Sequence, residues 1–284
     1  MTVEAGVLYV VATPIGNLGD MTPRAVEILQ GVDQIAAEDT RHSSRLLTHF
    51  SIGTPTIALH EHNERTQAPR LVARIAAAES LALISDAGTP LVSDPGFHLV
   101  RLAREQGIRV VPVPGASAVM AGLSVSGLPT DRFVFEGFLP AKSGPRRKRL
   151  QALAGETRTL IFYEAPHRVR AMLEDMAAVI GVGRRAVLAR ELTKIFETVK
   201  DAPLGELAEW VRADSDQQKG EIVLLLAGAP SDEDGGDDSE ARRILGVLLE
   251  DLPLSQASAL AARITGLKKK QLYRLGLSLG EAKD

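Results

Sequence analysis

Short apolar runs alternate with amphipathic segments along the first part of the chain. The run VLYVVA at residues 7–12 is typical of a buried strand. Four further runs have the same character and predict strands at residues 32–38, 55–60, 81–85 and 108–115. The segments between these runs, and the one after the last, repeat their apolar residues with a period near 3.6, which predicts helices. This βαβα order predicts a mostly parallel, doubly wound sheet.

The first of these helices is bounded by recognisable signals. Thr22 is a favoured N-cap residue, Pro23 suits the first helical position, and Gly31 is a common helix terminator. We therefore predict a helix over residues 23–31. The fourth strand run is apolar at every position before Ser85, as expected for a strand that is covered on both faces.

The pattern changes after residue 132. Five apolar runs predict strands in this part, but they no longer alternate strictly with helices. Helices are predicted near residues 145–153, 167–180 and 205–212. The runs at residues 187–193 and 196–200 lie so close together that they predict a hairpin. We therefore expect a second, mixed α/β domain.

The last part of the chain has a different composition. Residues 231–240, SDEDGGDDSE, are acidic and glycine-rich, which predicts a flexible linker. The residues beyond it have helical patterns, and a helix, a glycine turn and a basic helix in succession resemble a helix-turn-helix. The predicted organisation is an N-terminal α/β domain at residues 1–122, a mixed α/β domain at 123–230, the linker, and a helical tail at 241–284.

Composition and charge narrow the possible functions. The chain has 284 residues, of which 45% are hydrophobic and 24% charged, as in soluble globular proteins. The net charge is -3, so any affinity for nucleic acid must come from local basic patches. Because cysteine is absent, disulfides, Cys-zinc sites and thiol catalysis are excluded. We expect a cytoplasmic protein without signal peptide or membrane span, since no apolar run reaches about 18 residues.

Candidate chemistry lies where the predicted strands end. All five strands of the first domain are followed by residues rich in Gly, Pro, Asp and other small or polar types: ATPIGNLGD at 12–20, EDTR at 38–41, HEHNE at 60–64, SDAGTPLVSDPG at 85–96 and PVPGAS at 112–117. Ligands of open parallel sheets bind outside the carboxyl ends of the strands. Ordinary turn chemistry explains any one of these loops. Five together favour one continuous ligand crevice.

Two common nucleotide motifs are absent from these loops. The first loop lacks the G-x-G-x-x-G dinucleotide fingerprint, and no G-x-x-x-x-G-K-[ST] phosphate loop occurs in the chain. The sequence therefore disfavours NAD and ATP. It favours a ligand that is held by main-chain groups of small-residue loops, where Gly88 and Gly96 allow close approach and Pro90 and Pro95 fix the backbone path.

The order of seven motifs resembles that of a known family. These motifs are LYVVATPIGNLGDMTPRA, EDTR, HEHNE, SDAGTPLVSDPG, VPVPGASA, FYEAPHR and GEIVLLLAG. They are similar to the bacterial family of ribosomal RNA small subunit methyltransferase I, within the tetrapyrrole methylase superfamily. The resemblance implies two α/β domains with an S-adenosylmethionine cleft between them and a small helical C-terminal tail. It also implies 2′-O-ribose methylation of a cytidine in 16S rRNA, and a homodimer.

The resemblance also suggests which residues hold the cofactor. Tetrapyrrole methylases carry a Gly-Asp-Pro-type loop, where this chain has Asp86 for the acid and Ala87 for the proline. The expected cofactor-binding residues are Ser85, Asp86, Ala87, Gly88, Thr89, Pro90, Ser117, Phe162, Tyr163 and Ala227. Ser117 would act at a helix N-terminus, which also favours a carboxylate. By spacing alone, Phe162 is better explained as a core aromatic.

Methylation of a ribose hydroxyl requires removal of its proton, so a general base is expected near the crevice. Candidate bases at the strand ends are Asp39, His60, Glu61, His62, Glu64 and Glu164. We hypothesise that Asp39, Arg41, His60 and Asn63 hold the target nucleotide. The alternative for HEHNE is a polar strand end that caps the next helix. No metal is expected, because His60 and His62 lack a third ligand with suitable spacing.

Three basic clusters are candidates for contact with RNA. They contain Lys142, Arg146, Arg147, Lys148 and Arg149 in the first cluster, His167 and Arg168 in the second, and Lys268, Lys269 and Lys270 in the tail. Basic residues on phosphates give strong, salt-dependent affinity. For any single cluster a solvated basic face is the simpler explanation. A basic segment beside the predicted cleft together with a basic tail favours an rRNA substrate or an assembled small subunit.

Two other functions remain open from the sequence. A small-molecule methyltransferase of the tetrapyrrole type would share the cofactor cleft, but it has no need of the basic clusters. A non-enzymatic RNA-binding assembly factor would explain the basic clusters, but not five strand ends rich in glycine and acids.

Overall fold

The structure is a computed structural model that describes residues 3–230 and 238–280. The chain divides into two compact units, residues 1–227 and residues 228–284. Residues 231–237 of the predicted linker at 231–240 lie outside the described residues. The last three residues of the predicted linker, 238–240, belong to a helix.

The first sheet has five parallel strands in the order β3-β2-β4-β1-β5. Its strands are β1 (Val7–Val11), β2 (Gln34–Ala37), β3 (Thr56–Ala58), β4 (Leu81–Ile84) and β5 (Arg109–Val113). The helices that connect or follow them are α1 (Pro23–Gly31), α2 (Thr40–His49), α3 (Glu64–Ala76), α4 (Phe97–Glu105) and α5 (Ala118–Val125). The predicted βαβα sheet is confirmed, and α1 begins as expected because Thr22 Oγ1 accepts a hydrogen bond from Ala25 N at 3.1 Å.

Apolar side chains cover both faces of this sheet. Successive strand residues point to opposite faces, so Tyr9 and Val11 pack with α1 and α2 while Leu8 packs with α3 and α4. All four residues of β4, the central strand, are buried. Parallel sheets require such double coverage, which explains the nearly continuous apolar runs in the sequence.

The second sheet is mixed, with the order β6-β7-β10-β8-β9. Its strands are β6 (Phe133–Phe138), β7 (Thr159–Glu164), β8 (Arg185–Arg190), β9 (Thr198–Pro203) and β10 (Ile222–Leu226), with helices α6 (Ser143–Leu153), α7 (Val169–Ile180) and α8 (Leu204–Ala213). Only β6 and β7 run parallel. The predicted hairpin is confirmed as β8 and β9, which pair antiparallel.

The two sheets share one core within residues 1–227. One face of the second sheet packs on α6, α7 and α8. The other face contributes Val187, Val223 and Leu225 to a cluster with Val119 and Leu123 of α5. The predicted domain boundary between residues 122 and 123 falls inside α5, the helix that joins the two sheets in this cluster.

The unit at residues 228–284 consists of three helices in its described part. They are α9 (Asp238–Asp251), α10 (Leu254–Thr265) and α11 (Lys269–Gly280). Leu245, Ala261 and Leu272 form its buried core. Gly266 ends α10 in the left-handed region at φ 75°, which gives the helix, glycine turn and basic helix that the sequence predicts. Among the described residues, no helix is long and apolar enough to cross a membrane.

Candidate functional site

The carboxyl ends of the parallel strands meet at one edge of the first sheet, as the topology requires. Thr13 and Gly88 pair through two main-chain hydrogen bonds of 2.9 and 3.1 Å, which joins the loop after β1 to the loop after β4. Thr89 Oγ1 donates to Ala116 O at 3.0 Å and joins the loop after β5. Asp39 N donates to Asp86 Oδ1 at 3.1 Å and joins the loop after β2. Four of the five predicted loops therefore form one connected edge.

A cavity of about 350 Å³ lies beside this edge, within residues 1–227. One side is formed by the loops of the first sheet, and the other by the ends of β7, β8 and β10. Its lining residues are Ile15, Ala87, Gly88, Thr89, Val92, Ser93, Asp94, Ser117, Ala118, Phe138, Tyr163, Glu164, Ala165, Pro166, Ala189, Leu192, Glu221, Ile222 and Val223. A volume of this order and a mostly apolar lining with a few polar groups are typical of small-molecule sites.

Half of the residues expected to hold a cofactor line this cavity: Ala87, Gly88, Thr89, Ser117 and Tyr163. Ser85 and Pro90 are buried behind the wall, where Ser85 Oγ donates to Gly88 O at 3.4 Å. Asp86 is half-buried and points to the main chain of the loop after β2. These three residues shape the wall and do not line the cavity.

The expectation for Phe162 is wrong. Its side chain is fully buried in the core between the second sheet and α6, α7 and α8. Its neighbour Tyr163 lines the cavity instead, because successive residues of β7 point to opposite faces of the sheet. Tyr163 stacks edge-on with Phe135 at 4.9 Å between ring centroids and lies 5.6 Å from the ring of Phe138.

Ala227, also expected to hold the cofactor, does not line this cavity. Strand β10 runs antiparallel to β7, so Ile222 at its start pairs with Glu164 at the end of β7. The cavity is therefore lined by Glu221, Ile222 and Val223 at the beginning of β10. Ala227 lies at the opposite end of the strand, where its N–H donates to Arg185 O at 2.9 Å.

The four residues proposed to hold a nucleotide lie outside the cavity lining. Asp39 is the N-cap of α2, and its Oδ1 accepts hydrogen bonds from Arg41 N at 2.8 Å and His42 N at 3.3 Å. These bonds lower the pKa of Asp39. Arg41 is exposed beside it on the first turn of α2.

Two side chains of the HEHNE segment form hydrogen bonds that stabilise the local fold. Asn63 Oδ1 accepts from His60 N at 2.9 Å, and Asn63 Nδ2 donates to Ala58 O at 3.0 Å. Glu64 is buried, and its Oε1 accepts three main-chain hydrogen bonds at the start of α4, the shortest from His98 N at 2.7 Å. His60 differs, since its Nδ1 is buried without a hydrogen-bond partner.

Acidic side chains are concentrated at the same edge of the first sheet. Burial, followed by the charges of Asp94 and Asp86, raises the pKa of Glu38 to about 7. Burial is also the main cause that raises the pKa of Asp94 to about 6, and Asp86 adds to it. Negative charge at this edge favours a cationic ligand group, and a carboxyl group that titrates near neutrality can exchange protons there.

Across the cavity, two further groups are perturbed by burial. Burial and the charge of Asp94 raise the pKa of Tyr163 to about 12. Glu164 is buried, and burial raises its pKa even though Arg168 Nε lies 2.9 Å from its Oε1.

Sequence reasoning missed several lining residues. Asp94 belongs to the second Ser-Asp pair of the loop after β4, and this repeated pair was the available signal. Phe138 is 54% exposed although it ends a strand, and Glu221 directly precedes β10. Neither has a local pattern that marks a ligand site, because their positions depend on how the second sheet pairs.

Three arginines of the first basic cluster form ion pairs with acidic residues of the protein. Arg146 is buried at 3% exposure and lies 2.7 Å from Asp175, which also pairs with Arg147 at 2.5 Å. The prediction that Arg146 binds RNA is therefore wrong, because its guanidinium is inside the protein. Arg149 pairs with Glu136 at 2.7 Å, although half of its side chain remains exposed.

The remaining basic residues of the clusters are at the surface with one exception. Arg168 is only 21% exposed and pairs with Glu164. The exposed ones are Lys142, Lys148, His167, Lys268, Lys269 and Lys270. Within the described part of the chain, no group of three or more His, Asp or Glu side chains is arranged to hold a metal ion.

Comparison with family models covers most of the chain. The model for Tetrapyrrole (Corrin/Porphyrin) Methylases matches residues 7–208, and the model described as RsmI C-terminal HTH domain matches residues 235–280. The first match contains both the loops of the first sheet and most of the second sheet. The second match contains the three-helix unit.

Three relatives that match over nearly the full chain share one name. A protein of Pseudomonas aeruginosa called Ribosomal RNA small subunit methyltransferase I is 60% identical over 277 residues, which cover 96% of this chain and 98% of that protein. Proteins of the same name from Escherichia coli O157:H7 and Synechocystis are 55% and 50% identical, with 96% of this chain covered in each comparison.

Solved structures with this fold are more distant in sequence. Diphthine synthase has a TM-score of 0.59 at 16% identity and covers 78% of this chain and 90% of its own. Uroporphyrin-III C-methyl transferase from Thermus thermophilus, complexed with S-adenyl homocysteine, has a TM-score of 0.54 at 18% identity and covers 78% of this chain and 96% of its own. At these identities the likeness shows the fold.

Proposed function

The chain belongs to the family of ribosomal RNA small subunit methyltransferase I, and from that membership we propose that it methylates small-subunit (16S) rRNA. The methyl donor is S-adenosylmethionine, and the acceptor is the ribose 2′-hydroxyl of a cytidine. The observation that carries this proposal is the near full-length likeness to relatives of that name, which includes the loops around the cavity and the helical tail.

The cavity has the properties that the donor requires. Its volume of about 350 Å³ is in the range of small-molecule sites. Ala87 and Gly88 form a part of the wall without bulky side chains, and Tyr163 offers an aromatic surface. Glu221 places a carboxylate in the lining, which suits a ligand that carries a sulfonium and an ammonium group.

The protein has mainly to position and desolvate the reactants. The sulfonium of S-adenosylmethionine activates its own methyl group for displacement. The donor would be oriented by four residues of the wall, Ala87, Gly88, Thr89 and Ser117. Of these, Gly88 is held in place by two main-chain hydrogen bonds to Thr13. Apolar residues such as Ile15, Val92 and Leu192 exclude water from the cavity. Positioning of this kind supplies a large part of the rate of a two-substrate reaction.

The acceptor side is proposed from charge and exposure. Lys142, Lys148 and His167 are exposed basic residues of the unit at residues 1–227, while Lys268, Lys269 and Lys270 are exposed in the tail. Arg41 and His60, beside the acidic edge, would contact the target nucleotide. A small-molecule tetrapyrrole substrate would not use these cations, and a non-enzymatic assembly factor would not need the cavity.

One experiment tests the function directly. Small-subunit rRNA from cells with and without the gene is digested with a ribonuclease that cannot cleave next to a 2′-O-methyl group. The resistant dinucleotides are compared by mass spectrometry. Loss of one cytidine-containing dinucleotide after deletion, restored by the plasmid-borne gene, supports the proposal. An unchanged pattern contradicts it, and retained calorimetric binding of S-adenosylmethionine would then favour a small-molecule acceptor.

We also propose that the protein is a cytoplasmic homodimer. The location follows from the proposed rRNA substrate. A dimer is typical of the family that the motifs resemble, and α5 exposes Met120 at 53% and Val125 at 52%, apolar side chains that a second subunit could cover. Sedimentation equilibrium at micromolar concentration tests the dimer, and a mass of 30.4 kDa would contradict it.

A further inference from the structure

Four titratable side chains line the cavity: Asp94, Tyr163, Glu164 and Glu221. A group that takes a proton from an acceptor hydroxyl must reach the reacting atoms, so it belongs to this set. Two of these carboxylates already have partners. Glu164 accepts a hydrogen bond from Ala165 N at 2.8 Å and pairs with Arg168 at 2.9 Å. Glu221 pairs with Lys194 at 3.2 Å, and its side chain is 70% exposed.

Tyr163 is unsuitable as the general base for a different reason. Burial raises the pKa of its phenol to about 12, so it keeps its proton at neutral pH and cannot act as a base. It can still donate a hydrogen bond into the cavity.

Asp94 has a different environment from the other two carboxylates. It is half-buried, and within the described residues no Lys, Arg or His forms an ion pair with it. The Ser85 hydroxyl lies beside it, and the neighbouring charged groups are Asp86 and Glu38, with Tyr163 across the cavity. Burial, followed by the charge of Asp86, makes Asp94 a stronger base than an ordinary aspartate although the hydrogen bond from Ser85 acts in the opposite direction, and Asp94 stays ionised at neutral pH.

We propose that Asp94 is the general base of the methyl transfer, an inference that rests on the proposed function. Its carboxylate takes the proton of the ribose hydroxyl while that oxygen forms a bond to the methyl carbon. The carbon–sulfur bond breaks, and its electron pair stays on sulfur as a neutral thioether. The proton then passes from Asp94 to solvent, which returns the carboxylate.

The proposal predicts how the rate depends on pH. A protonated Asp94 cannot accept a proton, so the rate of methyl transfer rises with pH and levels off once the group is ionised. The pKa of Asp94 is about 6 and that of Glu38 about 7. Because the two carboxyl groups interact, the midpoint belongs to the pair and should lie between these values.

The test compares Asp94→Asn with Glu38→Gln in the full-length protein. The single-turnover rate is measured on 16S rRNA and on small subunits from the deletion strain, between pH 5.5 and 9, with S-adenosylmethionine affinity measured by calorimetry. Asp94→Asn should retain cofactor affinity within about threefold and should lose about 10²- to 10⁴-fold in rate. Its rate should no longer level off above neutral pH. Glu38→Gln changes a carboxyl group that interacts with Asp94 but does not line the cavity, so it should shift the midpoint to lower pH with most of the rate retained.

The other outcomes are equally decisive. A wild-type rate and pH profile in Asp94→Asn overturns the role of Asp94, and so does a loss of cofactor affinity in a variant that melts at the wild-type temperature. If Asp94→Asn does not fold, Asp94→Glu takes its place: it should keep the rising limb at a rate lowered about tenfold, and a flat profile would overturn the proposal. Absence of transfer by the wild-type protein to either substrate contradicts the proposed function instead.

Discussion

Gly88 links the fold to the cavity at the scale of one residue. Its φ of 84° lies in the left-handed region, and an added Cβ would stand 3.1 Å from Ile15 Cγ2. Gly88→Ala should therefore lower stability by about 1–3 kcal/mol through backbone strain. It should also weaken S-adenosylmethionine binding at least about tenfold, because Ile15 and the main chain of the wall must move. Urea unfolding and calorimetry measure the two effects.

Gly107 provides a matched control for this substitution. It has a similar φ of 72°, but an added Cβ would meet nothing within 4 Å. Gly107→Ala should lower stability through the same kind of backbone strain, and it should leave cofactor affinity unchanged. Equal affinity losses in the two variants would mean that general destabilisation, and not the wall of the cavity, controls binding.

Asp175 is the centre of a buried charge cluster in the second sheet's helices. Burial alone would raise its pKa, but hydrogen bonds from Arg147, Ser143 and Arg146 outweigh that effect and lower the pKa. Asp175→Asn would leave the buried Arg146 guanidinium without a counter-charge. We expect a loss of roughly 3–5 kcal/mol in the free energy of unfolding at pH 7.

The pH dependence and a neighbouring variant check this explanation. Because the folded-state pKa is lowered, the stabilisation is present above the unfolded value of about 4 and is lost as the pH falls through the folded value. The difference between wild type and Asp175→Asn should therefore shrink in acid. Arg147→Ala, at an exposed position, should cost at most about 1 kcal/mol. Equal losses in the free energy of unfolding for Asp175→Asn and Arg147→Ala would contradict the role of Asp175 as the counter-charge of the buried Arg146.

These residues also show why local sequence could not identify every site residue. The basic run at residues 146–149 predicts a solvated surface, but its partner Asp175 is 29 positions from Arg146 and only tertiary packing brings it close. Phe162 and Tyr163 belong to a strand whose two faces are both covered. The alternation of apolar and polar residues that would assign each side chain to a face is therefore missing.

At the scale of elements, the strands of the first sheet, their parallel direction and the helices between them could be predicted, but not the order of the strands in the sheet. Parallel strands all end at the same edge, so the order of strands and helices was enough to place their loops together. The second sheet is different, because the apolar run IVLLL of β10 reads the same whichever way the strand runs. Its antiparallel pairing with β7 brings its beginning to the cavity, and sequence alone could not distinguish this from the reverse.

Helix α6 carries a testable part of the RNA surface. Lys142 precedes its first turn and Lys148 lies on it, and both are exposed, whereas Arg146 is buried. If both lysines contact phosphates, the variant with Lys142→Ala and Lys148→Ala should bind rRNA more weakly. The slope of log K against log salt should also fall by about 0.7–0.9 for each lysine. Fluorescence anisotropy across a salt series measures both quantities.

The control for α6 is an exposed lysine outside the three basic clusters. Lys200→Ala on β9 removes one exposed positive charge and should leave the salt slope unchanged. A double variant of Lys142 and Lys148 with the wild-type slope would exclude this helix from the RNA interface.

At the scale of the whole molecule, the two compact units allow cofactor and RNA binding to be separated. The cavity lies entirely within residues 1–227, and the three-helix unit has its own buried core. A chain that ends at Pro230 should therefore fold and bind S-adenosylmethionine with wild-type affinity within about threefold. Its affinity for rRNA should fall at least about tenfold at physiological salt, since the phosphate contacts proposed for Lys268, Lys269 and Lys270 are lost.

A full-length variant distinguishes the charge of the tail from its mere presence. Changing Lys268, Lys269 and Lys270 to Gln keeps all three helices, because these side chains are exposed at the start of α11 while Leu272 and Leu275 form the core. If the lysines contact phosphates, this variant should lose most of the affinity that the truncation loses. The salt slope should fall by about 2–3 in both proteins. Wild-type affinity in the Gln variant combined with weak binding by the truncated chain would assign the contact to another surface of the helical unit.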